Sequence, residues 1–201
     1  MTKKAARSLA KKNLSQKRYE HTLCVEKMAV QLAKLYGEDT NNAAIAALLH
    51  DIAKERPKAE LLQIIANDAI ITADDPKAQA IETRPPCVWH GAAAAVLAKT
   101  EYGVVDTDIL NAICYHSTGR VGMSRLEKII YMADMVSAER EYPEAEYLRG
   151  RVLKNLDEGL LEALRISIEW LREEGKPLDA VTVRAYEALK SAYFGGTAFE
   201  Q

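Results

Sequence analysis

The sequence lacks several features that would assign it to a special class of protein. None of its apolar runs approaches the roughly 20 residues that a membrane span needs. Among 201 residues it has 2 Trp, 9 Tyr, 2 Phe, 6 Pro and 10 Gly, with 48% hydrophobic and 28% charged residues. That composition excludes disordered, fibrous and low-complexity chains. The length suits one hydrophobic core, so we expect a single globular domain.

Cysteine is also scarce. Cys24, Cys87 and Cys114 are odd in number, lie far apart and form no C-x-x-C pair. This usage argues against a disulfide framework and favours a reducing compartment. The first residues, MTKKAARSLAKKNL, lack the apolar stretch of about 7–15 residues that a secretory signal requires. We therefore expect a cytoplasmic protein that neither spans nor binds a membrane.

Acidic residues are missing from the first eighteen positions. The formal net charge is only −2, which gives no reason to expect a nucleic-acid-binding protein. The basic residues of this segment are Lys3, Lys4, Arg7, Lys11, Lys12, Lys17 and Arg18. We interpret residues 1–13 as a basic, solvated and frayed arm, followed by one domain over residues 14–201.

Helical patterns dominate the chain, and no run is long enough for a convincing strand. Ser15 can cap a helix that ends at Gly37, and Asp39 or Thr40 can cap the next one. Ser124 and Glu127 have the spacing of a capping box. Further helix starts are indicated at Pro57, at Asp74 with Pro76, at Asp106 and at Pro177 with Asp179. The sequence thus predicts an all-α fold, a single-domain helical bundle.

The pair His50-Asp51 is the first candidate for chemistry. It follows the apolar run AAIAALL without a polar break, where an unpaired charge would be costly. Alone, a helical His beside an Asp is most often polar surface rather than a metal ligand. Lys54 shares the face of the pair, at i+4 and i+3.

The remaining histidines lie on separate predicted helices. His21 comes one turn after Arg18, His90 opens an alanine-rich helix and His116 ends the following one. Asp134 stands in the apolar segment IIYMADMV, where a carboxylate needs a cation, a metal or a hydrogen-bond donor. Every histidine of the chain therefore belongs to one candidate constellation.

The order of these residues resembles that of the metal-dependent phosphohydrolases of the HD-domain superfamily. More narrowly, three segments and Arg140 resemble the YqeK-type family of symmetrical dinucleoside tetraphosphate hydrolases. The segments are RYEHTLCVEKMAVQLA, AALLHDIAKE and YHSTGRVGMSRLEKIIYMADMV. The resemblance runs from about Leu14 to Arg184. It implies an HD-type helical bundle.

The resemblance also implies a metal centre. It assigns the first metal ion to His21, His50, Asp51 and Asp134. His90 and His116 would complete a second metal position with Asp51 bridging, or would contact phosphate oxygens if one ion binds. Imidazole and carboxylate ligands without thiolate suit an octahedral ion such as iron or manganese, and iron is the family's expectation.

Substrate contacts follow from the same resemblance. It places Arg18, Lys54, Ser117 and Arg140 at positions that contact the nucleotide's phosphates. Residues 177–182 correspond to a stretch that lines the nucleotide pocket. From the residues alone, Arg18 and Lys54 are equally compatible with solvated charges, and Ser117 stands where the family has threonine.

The activity implied is the hydrolysis of diadenosine tetraphosphate and related dinucleoside polyphosphates to two nucleoside diphosphates, ADP in the first case. Asp51 and Lys54 are the candidate catalytic residues, with a metal-activated hydroxide as nucleophile. Two alternatives stay open: an HD-type phosphohydrolase of nucleoside mono- or triphosphates, and a non-catalytic nucleotide sensor. The sequence also leaves open whether the protein forms a homodimer.

Overall fold

The structure, a computed structural model, describes residues 1–66 and 81–195, and it is all-α over these ranges. The described helices, which we label α1 to α10, are Lys3–Asn13, Gln16–Tyr36, Thr40–Leu49, Lys58–Ala66, Trp89–Thr100, Thr107–Cys114, Arg125–Val136, Ala145–Val152, Leu156–Glu173 and Ala180–Gly195. The described residues contain no strand. The prediction of an all-α fold is confirmed. The helix start predicted at Asp74 and Pro76 lies outside the described residues.

The helix ends follow local side-chain chemistry. Ser15 accepts a hydrogen bond from the backbone N–H of Arg18 and so caps α2, which ends at Gly37 in the left-handed region (φ 68°). Asp39 caps α3 through two backbone N–H groups. At the start of α7, Ser124 and Glu127 form both hydrogen bonds of a capping box. Each of these predicted ends is confirmed.

The prediction of a frayed N-terminus is wrong, although the lysines of this segment are exposed to solvent as expected. Residues 3–13 form α1, capped by the Thr2 hydroxyl. Ala6 and Ala10 are fully buried on the face of α1 that packs against α3. Arg7 donates to the carboxylate of Glu26 on α2 at 2.5 Å. The segment is ordered because its small apolar residues fit against α3 while its lysines remain in solvent.

Helix α3 lies at the centre of the molecule. Its last seven residues, Ala43–Leu49, are all buried, and it contacts α1, α2, α5, α6 and α7. An α-helix that is apolar on all sides is stable only when other elements surround it. The C-terminal end of α3 therefore brings His50 and Asp51 into the interior of the bundle, among the helices that carry the other histidines.

Candidate metal centre

Four histidines from different parts of the chain converge beside the end of α3. His21 lies in α2, His50 directly follows α3, His90 opens α5 and His116 follows α6. The ring centroids of His21 and His50 are 5.6 Å apart. The ring of His116 lies 4.9 Å from that of His50 and also 4.9 Å from that of His90. All four are at most 9% exposed. Positions that are 26 to 40 residues apart in the sequence thus form one buried cluster.

Two carboxylates complete the cluster. Three overlapping groups each bring their ligand atoms within 4.8 Å of one another: His21, His50 and Asp51; His50, His116 and Asp134; and Asp51, His90 and His116. The structure therefore brings together all six predicted metal ligands. Among the described residues no cysteine belongs to such a group, as expected for a site without thiolates.

Asp51 occupies the middle of the cluster. Its Oδ2 lies 3.6 Å from His50 Nε2 and 3.9 Å from His21 Nε2. Its Oδ1 faces the other pair, 3.3 Å from His90 Nε2 and 3.6 Å from His116 Nε2. Each oxygen therefore faces a different pair of imidazoles, which is the arrangement that a bridging carboxylate requires.

All four imidazoles turn the same nitrogen away from the centre. His50 Nδ1 lies 2.6 Å from the carbonyl oxygen of Ala47, and His90 and His116 Nδ1 lie 2.8 Å from those of Cys87 and Ile113. A carbonyl only accepts, so Nδ1 carries the proton and the neutral ring leaves Nε2 unprotonated. Metal-ligating histidines generally donate their other N–H in this way.

The fourth imidazole is held differently. His21 Nδ1 lies 2.6 Å from Oε1 of Glu139, in the loop that follows α7. A carboxylate thus takes the place that a main-chain carbonyl has beside the other three rings.

Several inward-facing atoms have no hydrogen-bond partner although they are buried. They include His50 Nε2 and Asp51 Oδ1. His21 Nε2 faces the carboxylate oxygen Oδ1 of Asp134 at 3.1 Å. His90 Nε2 and His116 Nε2 also face each other at 3.0 Å. Buried polar atoms are normally satisfied, and lone pairs this close repel unless a cation or a proton lies between them. This donor set of imidazole nitrogens and carboxylate oxygens fits a divalent metal ion.

Burial and neighbouring side chains together shift the pKa values of His50, His90 and Asp51. Burial lowers the pKa of His50 to about 4, and burial together with His116 and Lys54 lowers the pKa of His90 well below its usual value. Burial alone would raise the pKa of Asp51, but the neighbouring imidazoles of His50 and His116 hold it well below the ordinary range. A neutral imidazole at His50 and at His90, beside an ionised Asp51, is the protonation state that metal ligation requires.

The basic residues predicted to contact phosphate lie around this centre. Arg18 Nη1 donates to Asp51 Oδ2 at 2.9 Å. Arg140 donates to the carboxylate of Asp134 and, through Nε, to its carbonyl oxygen at 2.9 Å. Lys54 Nζ lies 3.1 Å from His90 Nε2. All three therefore contact residues of the cluster, so none is simply a solvated surface charge.

A cavity of about 690 Å³ opens beside His21. Its lining residues are Ser15, Lys17, Arg18, Glu20, His21, Cys24, Glu55, Glu139 and Arg140. Two of the predicted phosphate-binding arginines thus face the same space next to a predicted metal ligand.

Two further predicted contacts are not at this cavity. The hydroxyl of Ser117 is buried and has no hydrogen-bond partner, and Ser117 does not line the cavity. Within residues 177–182, Asp179 accepts from Arg84 Nε at 2.8 Å and from the backbone N–H of Val181, where it supports the start of α10. The structure thus gives Asp179 a structural partner.

Sequence reasoning missed two residues at the centre. Glu139 stands in an acid-rich stretch, and nothing in its spacing distinguishes it from the neighbouring acids. Gly91 permits the close approach of two helices, because a Cβ there would lie 2.5 Å from the carbonyl oxygen of Cys114 and 3.4 Å from His116 Nδ1. Its only sequence signal is a glycine directly after His90.

The model of the family described as "HD domain" matches residues 18–158, a range that contains all six candidate ligands. The chain therefore belongs to the HD-domain family. An HD domain implies a divalent metal ion, and the cluster of His and Asp side chains can hold one.

Full-length relatives define the family more narrowly. The chain is 36% identical to the symmetrical bis(5'-nucleosyl)-tetraphosphatase of Bacillus subtilis over 95% of its own length and 99% of the relative. It is 34% identical to the protein of the same name from Halalkalibacterium halodurans, over 94% of this chain and 97% of the relative. The chain thus belongs to the family of symmetrical bis(5'-nucleosyl)-tetraphosphatases.

A solved structure shares the fold. It is the crystal structure of a Clostridium acetobutylicum protein described as a predicted HD superfamily hydrolase involved in NAD metabolism. The two structures superpose with a TM-score of 0.85 at 37% sequence identity, covering 93% of this chain and 96% of that one. The predicted HD-type helical bundle is confirmed. Among the described residues, no helix is long and apolar enough to cross a membrane.

Proposed function

We propose that this protein is a metal-dependent enzyme that cleaves diadenosine tetraphosphate and related dinucleoside tetraphosphates into two nucleoside diphosphates. The observation that carries the proposal is the convergence of four imidazoles and two carboxylates beside a cavity lined by two arginines. The names of the two bacterial relatives, which align over nearly their whole lengths, support the same substrate class.

The proposed metal ligands are those facing the centre. His21, His50, Asp51 and Asp134 would hold the first ion. His90 and His116 would complete a second position with Asp51, or would contact phosphate oxygens beside a single ion. The proposed metal is iron, with manganese as the alternative, because nitrogen and oxygen donors without thiolate suit octahedral ions.

A bound ion would lower the pKa of water and place positive charge next to the phosphates. The side chains around the centre would bind the substrate and stabilise the charge that develops on it. Arg18 and Arg140 line the cavity and would bind the phosphate chain through charge-assisted hydrogen bonds. Lys54, beside His90, would stabilise the negative charge that develops on the leaving nucleoside diphosphate. Asp51, which accepts a hydrogen bond from Arg18, would hold the ligand set in position from the middle of the cluster.

Product analysis separates the proposal from its alternatives. Metal-free protein reloaded with Fe²⁺ or Mn²⁺ is incubated with diadenosine tetraphosphate, ATP and AMP in parallel, and the products are separated by ion-exchange chromatography. We expect ADP as the sole product from the dinucleotide and little turnover of the other two. AMP plus ATP from the dinucleotide would contradict symmetrical cleavage. Binding without turnover would identify a sensor instead.

Asp51→Asn tests the metal centre with minimal change of shape. We expect the metal content to fall to a small fraction of that of the wild type, and hydrolysis to fall at least about 100-fold, because the central carboxylate is lost. Asp108→Asn, at the start of α6, is the matched control and should keep both properties. Metal content is measured by elemental analysis after purification without chelators. A fully active Asp51→Asn protein would overturn the mechanism.

We also propose a cytoplasmic location. Within the described residues, Cys24, Cys87 and Cys114 form no disulfide, which is typical of proteins kept in a reducing compartment. Fractionation of the source cells with an antibody against this chain tests the location, and recovery in a secreted or membrane fraction would contradict it.

A further inference from the structure

We propose that Glu139 is a positioning residue of the metal centre, which holds His21 in the Nδ1-protonated form and turns its Nε2 toward the ion. The inference rests on the metal centre proposed above, and it concerns a residue that the ligand pattern does not include. The carrying observation is the contact of 2.6 Å between Glu139 Oε1 and His21 Nδ1.

His21 needs such a partner because of where it lies. His50 and His116 follow helices whose last carbonyls lack intrahelical partners, and His90 lies at the start of α5, just after a turn. Each of these three rings uses the carbonyl three residues before it. His21 lies inside α2, which runs from Gln16 to Tyr36, so the carbonyls around it already serve the helix.

Glu139 is itself held in place. The Ser137 hydroxyl donates to the same Oε1 at 2.7 Å. The side chain is about one-third exposed, at 34%. A carboxylate oxygen that a second hydrogen bond holds in place is a suitable acceptor for an imidazole N–H.

The consequence concerns metal affinity. A carboxylate that accepts from Nδ1–H fixes the tautomer and the orientation of the ring and makes Nε2 a stronger donor toward the ion. Loss of such a partner typically weakens metal binding about 10–100-fold. Glu139 also lines the cavity, so the test must distinguish support of His21 from contact with substrate.

The first measurement is the dissociation constant for Mn²⁺ of the metal-free protein, obtained by competition with a chelator. We expect Glu139→Ala to bind about 10–100-fold more weakly than the wild type. Glu139→Gln keeps an oxygen acceptor without the charge and should lose less. The matched control is Glu141→Ala, an exposed acid two residues further on, which should bind like the wild type. Equal affinity of Glu139→Ala and the control would overturn the proposal.

The second measurement is the tautomer of His21 in metal-free protein, read from the ¹⁵N shifts of the imidazole at a pH high enough for the ring to be neutral. In that state Asp134 Oδ1, 3.1 Å from Nε2, competes with Glu139 for the single ring proton. We expect the Nδ1–H form in the wild type and in Glu139→Gln, and a mixture of tautomers in Glu139→Ala. An unchanged Nδ1–H form in Glu139→Ala would overturn the proposal. Neither measurement uses a nucleotide, so they are independent of whether diadenosine tetraphosphate is the substrate.

Steady-state kinetics at saturating Mn²⁺ complete the test. If Glu139 acts through His21, excess metal should restore most of kcat in Glu139→Ala, with the KM for the dinucleotide unchanged. A raised KM that persists at saturating metal would show that Glu139 contacts the substrate and would contradict a positioning role.

Discussion

At the scale of single residues, the carboxylates of the site are paired with cations as well as imidazoles. Asp51 accepts from Arg18, and Asp134 accepts from Arg140. The sequence predicts that a carboxylate in the apolar segment around Asp134 needs a cation, a metal or a donor. The structure supplies the cation through Arg140, six residues further on, and leaves the imidazole side of both carboxylates open to a metal.

Substitution of Arg18 should affect substrate binding more than turnover. At saturating metal, Arg18→Gln is expected to raise the KM for diadenosine tetraphosphate about 10-fold, because one charge-assisted contact to phosphate is lost. Initial rates over a range of substrate concentrations check this. Lys11→Gln, an exposed cation on α1, is the control. An equal KM in both variants would remove Arg18 from the phosphate-binding set.

At the scale of helices, the ends could be predicted and the docking of α1 could not. The caps at Ser15, Asp39 and Ser124 depend on side chains within three residues of the helix start, so the local sequence contains them. The docking of α1 depends on the shape of α3 and on Glu26, which lies beyond the segment itself. Residues 1–13 taken alone show only a basic, alanine-containing stretch.

The approach of α5 to the end of α6 sets the distance between His90 and His116. Gly91→Ala would place a Cβ 2.5 Å from the carbonyl oxygen of Cys114, so the two segments must separate. We expect a loss of about 1–3 kcal/mol in the free energy of unfolding, as for other overpacked cores. We also expect a lower metal affinity. Urea denaturation and metal titration measure the two effects.

Gly150→Ala is the matched control for this substitution. Gly150 lies in α8, and a Cβ there meets no atom within 4 Å. The replacement should therefore stabilise the protein by about 0.5–1 kcal/mol, because alanine costs less conformational entropy in a helix. If Gly91→Ala behaves like Gly150→Ala, the close approach is not required.

At the scale of the whole molecule, the proposed metal ligands join helices from much of the chain. They come from α2, from the residues after α3 and α6, and from α5 and α7. The resemblance to the HD-domain superfamily predicts that these six residues belong together, and the structure brings them together. Glu139 and Gly91 could not be predicted, because their roles depend on the three-dimensional approach of distant segments.

Metal removal should lower the stability of the whole bundle. An ion that binds only the folded state stabilises it by about 2.7 kcal/mol at 100 times its Kd, so Tm should fall about 5–10 °C when a chelator removes it. Differential scanning calorimetry of metal-loaded and metal-free protein checks the shift. Asp51→Asn is the control and should show a much smaller difference. An unchanged Tm in the wild type would argue against a bound ion.

The hydrogen bonds to Nδ1 also determine how the centre tolerates mutation. Beside His50, His90 and His116, the acceptor is a main-chain carbonyl, which every amino acid provides. Replacement of the side chains at Ala47, Cys87 or Ile113 therefore leaves those acceptors in place. Only at His21 is the acceptor encoded by a particular side chain, Glu139. Substitutions at position 139 therefore offer a way to adjust metal affinity while every proposed ligand is kept.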